Sequence, residues 1–283
     1  WVDLSTGVFF TERLNKNLAS SLETTLDRIS PQELIIPYKM KDQKPKFFSE
    51  CITFQPDSLF NSESCEKRLK NFYKVNSLVS YGNFNRSCIS TAGALLAYID
   101  LTQKGKIPLL KNLTEWKTSE IMEIDVFSRK SLELTKTQSG NKTGSFFNII
   151  NKTLTSGGSR LLLERLNSPL LDKVLINERL DTVSNFLEAK SLRTKLKEIL
   201  KHIPDIERSI TRLQFDRGGP RDLLSIKLGY EKASEILKLI TKYEFKYKKN
   251  EIKNIIRKLK IDFEFVSKLN KAIEDQPPLF ARD

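Results

Sequence analysis

The chain has 283 residues, is 39% hydrophobic and 29% charged, and contains 11 Gly and 10 Pro, which excludes a fibrous or low-complexity protein. Its formal net charge of +13 favours polyanionic partners, although charge alone does not establish nucleic-acid binding. The three cysteines form no CxxC pair and argue against a disulfide framework, and no apolar run approaches the roughly 18 residues of a membrane span.

The first forty residues have the pattern of an α/β domain. Residues 1–10 predict a strand with a turn at 5–7, and residues 18–29 predict a helix with leucines on one side. Residues 30–33, Ser-Pro-Gln-Glu, resemble a capping box with proline in the first helical position. The apolar run 34–37 that follows predicts a buried strand.

A helical region follows a less regular one. Residues 39–60 are polar and predict irregular structure, whereas residues 63–79 predict a helix. A stronger helix begins near Ser90 and ends before Gly105. We therefore place a domain boundary after residue 105.

Beyond the boundary the helical period dominates. Residues 121–125 predict a short strand, and nearly everything after Phe146 has apolar residues at helical spacing. Two of the apolar stripes are Ile176, Leu180, Val183 and Leu187, and Leu192, Leu196, Ile199, Leu200 and Ile203. The predicted fold is multidomain: an α/β domain over residues 1–105, then a mostly α-helical domain over residues 106–283. The second domain holds 35 Lys and Arg against 24 Asp and Glu, so it carries most of the positive charge.

Two breaks interrupt the helices. Gly218 and Gly219 end one helix, and Pro220 begins the next, with Arg221 and Asp222 in its first turn. We expect this turn to set the angle between two helices, and a Gly219→Val change to strain it if Gly219 has a positive φ. Residues 277–278, Pro-Pro, end the last predicted helix.

The chain shows no catalytic or metal-binding pattern. His202 is its single histidine, lies near the end of a predicted helix, and has a structural interpretation. Residues 140–143, Gly-Asn-Lys-Thr, resemble the end of a phosphate-binding loop, but Asn141 interrupts the motif and Thr135 replaces its first glycine. We predict no catalytic residue, no metal site and no ATP-binding residue in this segment.

A line of basic residues offers a weak nucleic-acid candidate. On a continuous helix, one stripe would contain Lys242, Lys246, Lys249, Lys253, Arg257 and Lys260. Asn250 could begin a new helix and scatter that stripe, so a solvated helical face is the alternative. The DNA-binding candidates are Lys246, Lys249, Lys253 and Arg257.

Several short stretches, in order, together resemble the MutS family. The most distinctive is residues 219–223, Gly-Pro-Arg-Asp-Leu, and the others lie at residues 1–7, 30–34, 93–103, 124–134, 158–170, 178–181, 205–208 and 277–279. Residues 39–60 match little, and residues 127–131 depart from the family pattern. The resemblance covers nearly the whole chain.

The resemblance implies an internal segment of a mismatch repair protein. Residues 1–105 would be an N-terminally truncated connector domain, similar to RNase H and a docking surface for MutL, and residues 106–283 the first part of a helical core, or lever, domain ending before the clamp. The intact protein would be a cytoplasmic, nucleoid-associated homodimer that binds mismatched duplex DNA. Its ATP and Mg²⁺ would bind in an ATPase domain outside this segment, so the segment itself would not be an enzyme and would have no membrane partner.

Two other interpretations of the sequence remain open. A MutS relative could act in recombination without sensing mismatches, or the chain could be a separate basic helical module that binds DNA or RNA. The second predicts salt-sensitive binding by the chain itself.

Overall fold

The computed structural model describes residues 1–14, 18–105, 107–247, 250–259 and 261–278. The chain folds as two compact units, which we describe separately. The first unit comprises Trp1–Ser119 and Glu123–Leu132, and the second comprises Glu120–Met122 and Glu133–Asp283. The first contains strands and helices and the second is mostly helical, which confirms the predicted fold class.

The first unit contains two small sheets. Its strands are β1 (Val2–Asp3), β2 (Val8–Glu12), β3 (Leu34–Pro37), β4 (Ile52–Gln55) and β5 (Thr114–Trp116). One sheet has the order β1-β2-β5, in which β2 is antiparallel to β1 and parallel to β5, and the other pairs β3 with β4 in parallel. The sequence did not predict β4 or β5, because short parallel strands with distant partners carry no hairpin signal.

Among its described residues, the first unit also has four α-helices: α1 (Leu18–Ile29), α2 (Ser62–Tyr73), α3 (Arg86–Thr102) and α4 (Val126–Ser131). The helix predicted over residues 18–29 is confirmed. The capping box at residues 30–33 is wrong, because Ser30 has a φ of 50° and ends α1 in the left-handed region. Its hydroxyl donates to the Asp27 carbonyl at 3.0 Å, so Ser30 closes the preceding helix and does not open a new one.

Helices α2 and α3 pack closely beside the first sheet. Phe9 of β2, Leu69 of α2 and Leu96 of α3 are almost fully buried in one apolar core. Gly93 lets the two helices approach, because a Cβ atom at this position would lie 2.4 Å from the Cβ atom of Cys65. The small side chains at this contact therefore set the distance between α2 and α3.

A buried ion pair joins α1 to the sheet. The Arg28 guanidinium of α1 bonds to the Glu12 carboxylate of β2, and both side chains are less than a tenth exposed. The guanidinium also lies 4.7 Å from the ring centroid of Trp116 and 5.2 Å from that of Trp1. Burial raises the pKa of Glu12 despite this partner, since desolvation disfavours its charged form.

The compact first unit extends past residue 105. Leu110 and Leu113 are buried in its apolar core, and β5 is hydrogen-bonded to β2. These contacts join residues 107–119 to the unit, although α3 and Gly105 form a clear break in the sequence. The boundary between the functional domains stays a prediction.

The second unit contains eight helices within its described residues. They are α5 (Phe146–Ile150), α6 (Ser156–Asn167), α7 (Lys173–Glu188), α8 (Lys190–Lys201), α9 (Ile206–Gln214), α10 (Pro220–Thr241), α11 (Asn250–Lys258) and α12 (Phe263–Ala272). The strand predicted over residues 121–125 is wrong. Only an isolated bridge joins Ile121 to Leu170, and Asp125 instead caps the N-terminus of α4.

One apolar cluster joins four helices of the second unit. Leu192 and Leu196 of α8 meet Ile240 of α10, Phe245 after it, and Ile252 of α11, and Phe186 of α7 packs against the same cluster. The predicted burial of the α8 stripe is confirmed at Leu192 and Leu196. Fully burying each large aliphatic side chain contributes roughly 1.5–3 kcal/mol.

The stripe predicted on α7 is not buried within the second unit. Leu180, Val183 and Leu187 are 56%, 54% and 62% exposed. Thr182 and Asn185 of α7 are buried instead, and the Asn185 carboxamide accepts a hydrogen bond from the Tyr247 amide at 2.8 Å. The inward face of α7 thus combines these polar residues with Phe186, which packs against the apolar cluster. Among the described residues no helix is both long and apolar enough to cross a membrane.

We predict that Gly93→Ala destabilises the first unit by about 1–3 kcal/mol, because the added methyl overlaps the Cys65 backbone and side chain. Urea unfolding followed by tryptophan fluorescence measures this unit, since Trp1 and Trp116 both belong to it. Gly157→Ala is the control, because a Cβ atom at Gly157 of α6 would make only an ordinary contact, 3.8 Å from the Arg160 guanidinium. It should leave unfolding by circular dichroism unchanged or slightly more stable. Equal stability of the Gly93→Ala variant and the parent would contradict the prediction.

Candidate functional site

The junction between α9 and α10 is the most specific candidate in the second unit. Helix α9 ends at Gln214, and Pro220 occupies the first position of α10, as the sequence predicts. Proline suits this position because its φ is already helical and its missing N–H needs no partner there. Asp222 lies in the first turn, near the positive end of the helix dipole.

Asp222 connects the two helices. Its carboxylate accepts a hydrogen bond from the Gly219 amide at 3.1 Å, which closes the N-terminus of α10. It also accepts from Arg212 of α9, through Nε at 2.9 Å and through a second guanidinium nitrogen. The Arg212 guanidinium in turn donates to the Ser209 hydroxyl at 3.0 Å. One carboxylate therefore fixes the end of α9 against the start of α10.

The ionised form of Asp222 is the one that the junction stabilises. Burial by itself raises the pKa of Asp222, but the hydrogen bonds from Arg212 and from the Gly219 amide outweigh burial and lower it below the usual range. The side chain is 13% exposed, so these bonds are only partly screened by water. Stability that depends on the charge is thus present above the pKa of an unfolded aspartate.

The two glycines of the junction have different roles. Gly219 has an extended backbone with φ −136° and ψ −174°, so the strain expected for a positive φ at this position does not arise. Gly218 is the restricted position, because a Cβ atom there would lie 2.7 Å from the Cα atom and the amide nitrogen of Leu213. The junction needs glycine for close backbone approach, and it needs it at Gly218.

A second close contact lies near the middle of α10. A Cβ atom on Gly229 would lie 2.2 Å from the terminal carbon of the Ile206 side chain, at the start of α9. The neighbour here is a movable side-chain end, whereas Gly218 faces backbone. Helices α9 and α10 therefore pack closely at Gly229, whereas Gly218 lies in the turn between them and packs against Leu213 near the end of α9.

An arginine clamp joins α6 to the start of α9. Arg160 donates two hydrogen bonds to the Asp205 carboxylate, at 2.7 and 2.9 Å, and one to Glu207 at 2.8 Å. Asp205 is the N-cap residue of α9, and the bonds from Arg160 lower its pKa. A bidentate pair of this kind fixes orientation as well as distance.

The N-terminus of α10 also contacts the segment after α12. Arg221 donates from Nε to the carbonyl oxygen of Pro277 at 3.3 Å. Pro277 is buried and Pro278 is exposed, and both follow the end of α12 at Ala272, as predicted, whereas Leu279 lies outside the described residues. All five residues of the candidate motif 218–222 are thus at one junction.

The basic candidates do not form one continuous stripe. Residues 242–247 are not helical, and α11 begins at Asn250, which is the break that the sequence allowed. Lys246 is paired with Glu188 at 3.4 Å and lies 5.4 Å from the ring centroid of Tyr247. Lys253 and Arg257 are exposed on the outer face of α11, one turn apart. Lys249, like Lys260, lies outside the described residues.

Residues 140–143 lie in a turn, and His202 lies at the end of a helix. Residues 140–143 belong to a turn in which the Gly140 amide donates to the Thr137 carbonyl at 2.8 Å, and no strand precedes it as a phosphate-binding loop requires. His202 is exposed at the end of α8. Within the described ranges, no group of three His, Cys, Asp or Glu side chains could hold a metal ion.

The sequence did not identify the residues that fix the junction to its neighbours. Arg160 lies 45 residues before Asp205, and Arg212 lies ten residues before Asp222. Arginines on exposed helix faces are common, so spacing alone did not distinguish these two. The capping pattern did identify Asp222, because an acidic residue after proline is typical of a helix start.

We predict that Gly218→Ala lowers the free energy of unfolding of the second unit by about 1–3 kcal/mol, because the new methyl meets backbone atoms of Leu213 that cannot move independently. Gly229→Ala is the matched control. It should cost less, because the end of the Ile206 side chain can turn away and alanine favours the helix. Urea unfolding followed by circular dichroism compares the two, and an equal or larger loss for Gly229→Ala would refute this assignment.

We predict that Asp222→Asn destabilises the second unit by about 1–3 kcal/mol at pH 7. The folded pKa of Asp222 is depressed, so its contribution is present above the unfolded pKa of about 3.9 and is lost as the pH falls through the folded value. Unfolding midpoints measured from neutral to acidic pH should therefore converge for parent and variant in acid. Asp172→Asn, at the N-cap of α7, should change little because asparagine caps equally well. Parallel pH curves for parent and Asp222→Asn would exclude this role.

Comparison with known proteins gives the family of both units. The model for MutS domain II matches residues 1–113, and the model for MutS domain III matches residues 128–283. The two matches follow each other in the order of the two structural units.

Full-length relatives agree with these matches. The DNA mismatch repair protein MutS of Rhizobium meliloti is 35% identical over 288 residues, covering all of this chain and 31% of the relative. That of Ruegeria pomeroyi is 36% identical over 287 residues, covering all of the chain and 32% of the relative. That of Wolbachia pipientis is 39% identical over 249 residues, covering 86% of the chain and 29% of the relative. The chain thus spans about a third of the length of these relatives, and with a domain III match over more than half of its residues it belongs to the MutS family.

Proposed function

We propose that this chain is the connector and lever-core segment of a protein that acts in DNA mismatch repair. The observation that carries the proposal is the match of two consecutive MutS domains along one chain, together with relatives named as mismatch repair proteins over its whole length. The predicted segment therefore contributes to recognition of mispaired DNA by a larger protein. Neither alternative, recombination or a separate binding module, has an observation of this kind in its favour.

We propose that the second unit transmits force between helices and performs no reaction itself. Three features support this role: the Arg160 clamp on Asp205, the Asp222 junction, and the close packing of α9 against α10 at Gly229. Helices that are joined by oriented charge-assisted bonds and close contacts move together, so a displacement of one is passed to the next. The turn at residues 218–222 would set the angle between α9 and α10 and so the direction in which the displacement is passed on.

The partners of the whole protein follow from the same proposal. They are mismatched duplex DNA, MutL docking on the connector unit, and a second copy of the protein in a homodimer located in the cytoplasm with the nucleoid. ATP and Mg²⁺ would bind to residues other than those described here, since these offer no phosphate-binding loop and no metal cluster. When bound, ATP would supply the free energy that changes the state of the DNA clamp.

We predict that the complete gene product containing this chain binds duplex DNA with a single mismatch more tightly than the matched duplex. Fluorescence anisotropy with the two duplexes measures the difference, and loss of the gene should raise the spontaneous mutation rate. The Asp222→Asn variant should keep the mismatch preference and slow the nucleotide-dependent release of DNA, because it loosens the junction without touching DNA.

The control for this experiment is Asp172→Asn, which keeps a helix cap and removes the same charge. It should release DNA at the parental rate. Equal affinity for matched and mismatched duplexes, with tight binding to branched DNA, would favour the recombination alternative and refute the proposal. Normal release by Asp222→Asn would refute the lever role while leaving mismatch repair intact.

A further inference from the structure

The positive charge of the chain is concentrated around one apolar cluster of the second unit. Residues 186–203, 236–247 and 250–259 contribute α8, α11 and the adjoining ends of α7 and α10 to the cluster of Leu192, Leu196 and Ile252. These 40 residues hold 11 Lys and Arg against 4 Asp and Glu, whereas the other 243 residues hold 37 against 31. A region with about a seventh of the residues thus carries +7 of the net charge of +13.

Helix α8 presents a line of lysines on the side opposite its buried face. Lys190, Lys197 and Lys201 lie within about 60° of one another around the helix axis, at 100° per residue, and all three are exposed. Leu192 and Leu196 face the opposite way into the cluster. The rise of 1.5 Å per residue separates the three lysines along the axis by roughly 10 and 6 Å. The three lysines therefore form a nearly straight line on the outward side of the helix.

Two of these lysines have no competing carboxylate. Within the part of the chain that the structure describes, no ion pair is formed by Lys190 or Lys197, and Lys201 bonds to Glu198 at 2.8 Å on the same helix. Exposed pairs of this kind are weak and can exchange with another anion. The lysine line is thus available to bind an external polyanion.

We propose that the lysine line of α8 contacts the phosphate backbone of duplex DNA, as a second contact surface that rests on the proposed function in DNA repair. Phosphates on one strand advance by about 3.4 Å along the duplex axis, so the spacings in the line span roughly three and two phosphates. The helix contains no aromatic residue on which unpaired bases could stack, and its outward cations are lysines that act as point charges. These features favour the duplex backbone without sequence preference.

The outer face of α11 also carries exposed cations. Lys253 and Arg257 point away from Ile252, which is buried in the same cluster as Leu196. The Arg257 guanidinium donates only to the Asn254 side chain, at 3.0 Å, and keeps its charge unpaired within the described residues. Two helices that share one core therefore both turn cations outward. That arrangement suits a long anion such as DNA better than a small one.

The test compares two triple variants of the 283-residue chain that remove the same charge at different places. Lys190→Gln/Lys197→Gln/Lys201→Gln removes the line, and glutamine keeps the helix propensity of lysine. Lys136→Gln/Lys142→Gln/Lys152→Gln removes three exposed lysines elsewhere in the second unit, none of them in an ion pair within the described residues. Anisotropy with a short labelled matched duplex is measured over a range of KCl concentrations, and circular dichroism confirms that both variants are folded.

We expect the slope of log K against log salt concentration to become shallower by roughly 2–3 in the α8 variant, at about 0.9 per lost phosphate contact, and to stay near the parental value in the control. An equal decrease of the slope in both variants would show that DNA is attracted by the overall positive charge of the chain and would overturn the proposal. Absence of duplex binding by the parent chain, or an unchanged slope in the α8 variant, would also overturn it. Mismatch preference of the complete gene product is a separate measurement, so the proposed function can fail or hold independently.

Discussion

The carboxylate of Asp222 is the contact on which the arrangement of the second unit depends. It accepts from the amide of Gly219, the N-cap residue of α10, and from the guanidinium of Arg212 near the end of α9, so one group both caps a helix and ties it to its predecessor. Desolvation works against a charged group at this place, and the bonds from Arg212 and Gly219 overcome it. A neutral side chain could cap the helix but could not hold the arginine, which is why an acid is needed here.

Close helix contacts in both units depend on the absence of a side chain. Gly93 against Cys65 in the first unit and Gly218 against Leu213 in the second leave no space for even one methyl group. A contact without free volume resists sliding, because any shift creates overlap on one side and a void on the other. Such contacts favour motion of whole helices over gradual deformation within them, and that is the property a lever requires.

Local patterns predicted much of the helical structure, and long-range contacts limited the rest. The predictions of a buried apolar stripe on α8 and of a helix start at Pro220 were correct, because apolar spacing and helix capping both depend on residues that are close together in the sequence. Strand β5 was missed because its partner β2 lies about a hundred residues earlier. The predicted inward face of α7 was wrong because the face that packs combines Phe186 with the polar residues Thr182 and Asn185, and the partner of Asn185, Tyr247, lies 62 residues away. The hydrogen bonds from Arg160 to Asp205 were missed for the same reason, because the two residues are 45 positions apart.

The cations of the internal joints described above are arginines, whereas those of the outward basic surface are lysines apart from Arg257, and this division explains how one set of cations can serve both stability and recognition. Arg160, Arg212 and Arg221 donate in defined directions to groups on other segments, which the planar guanidinium favours. These joints occupy several of the carboxylates, including Asp205 and Asp222. The lysines of α8 are left largely without acidic partners, so the surplus charge appears on the outside of the helices. A surface built this way can bind and release a polyanion without disturbing the internal joints, because no group takes part in both.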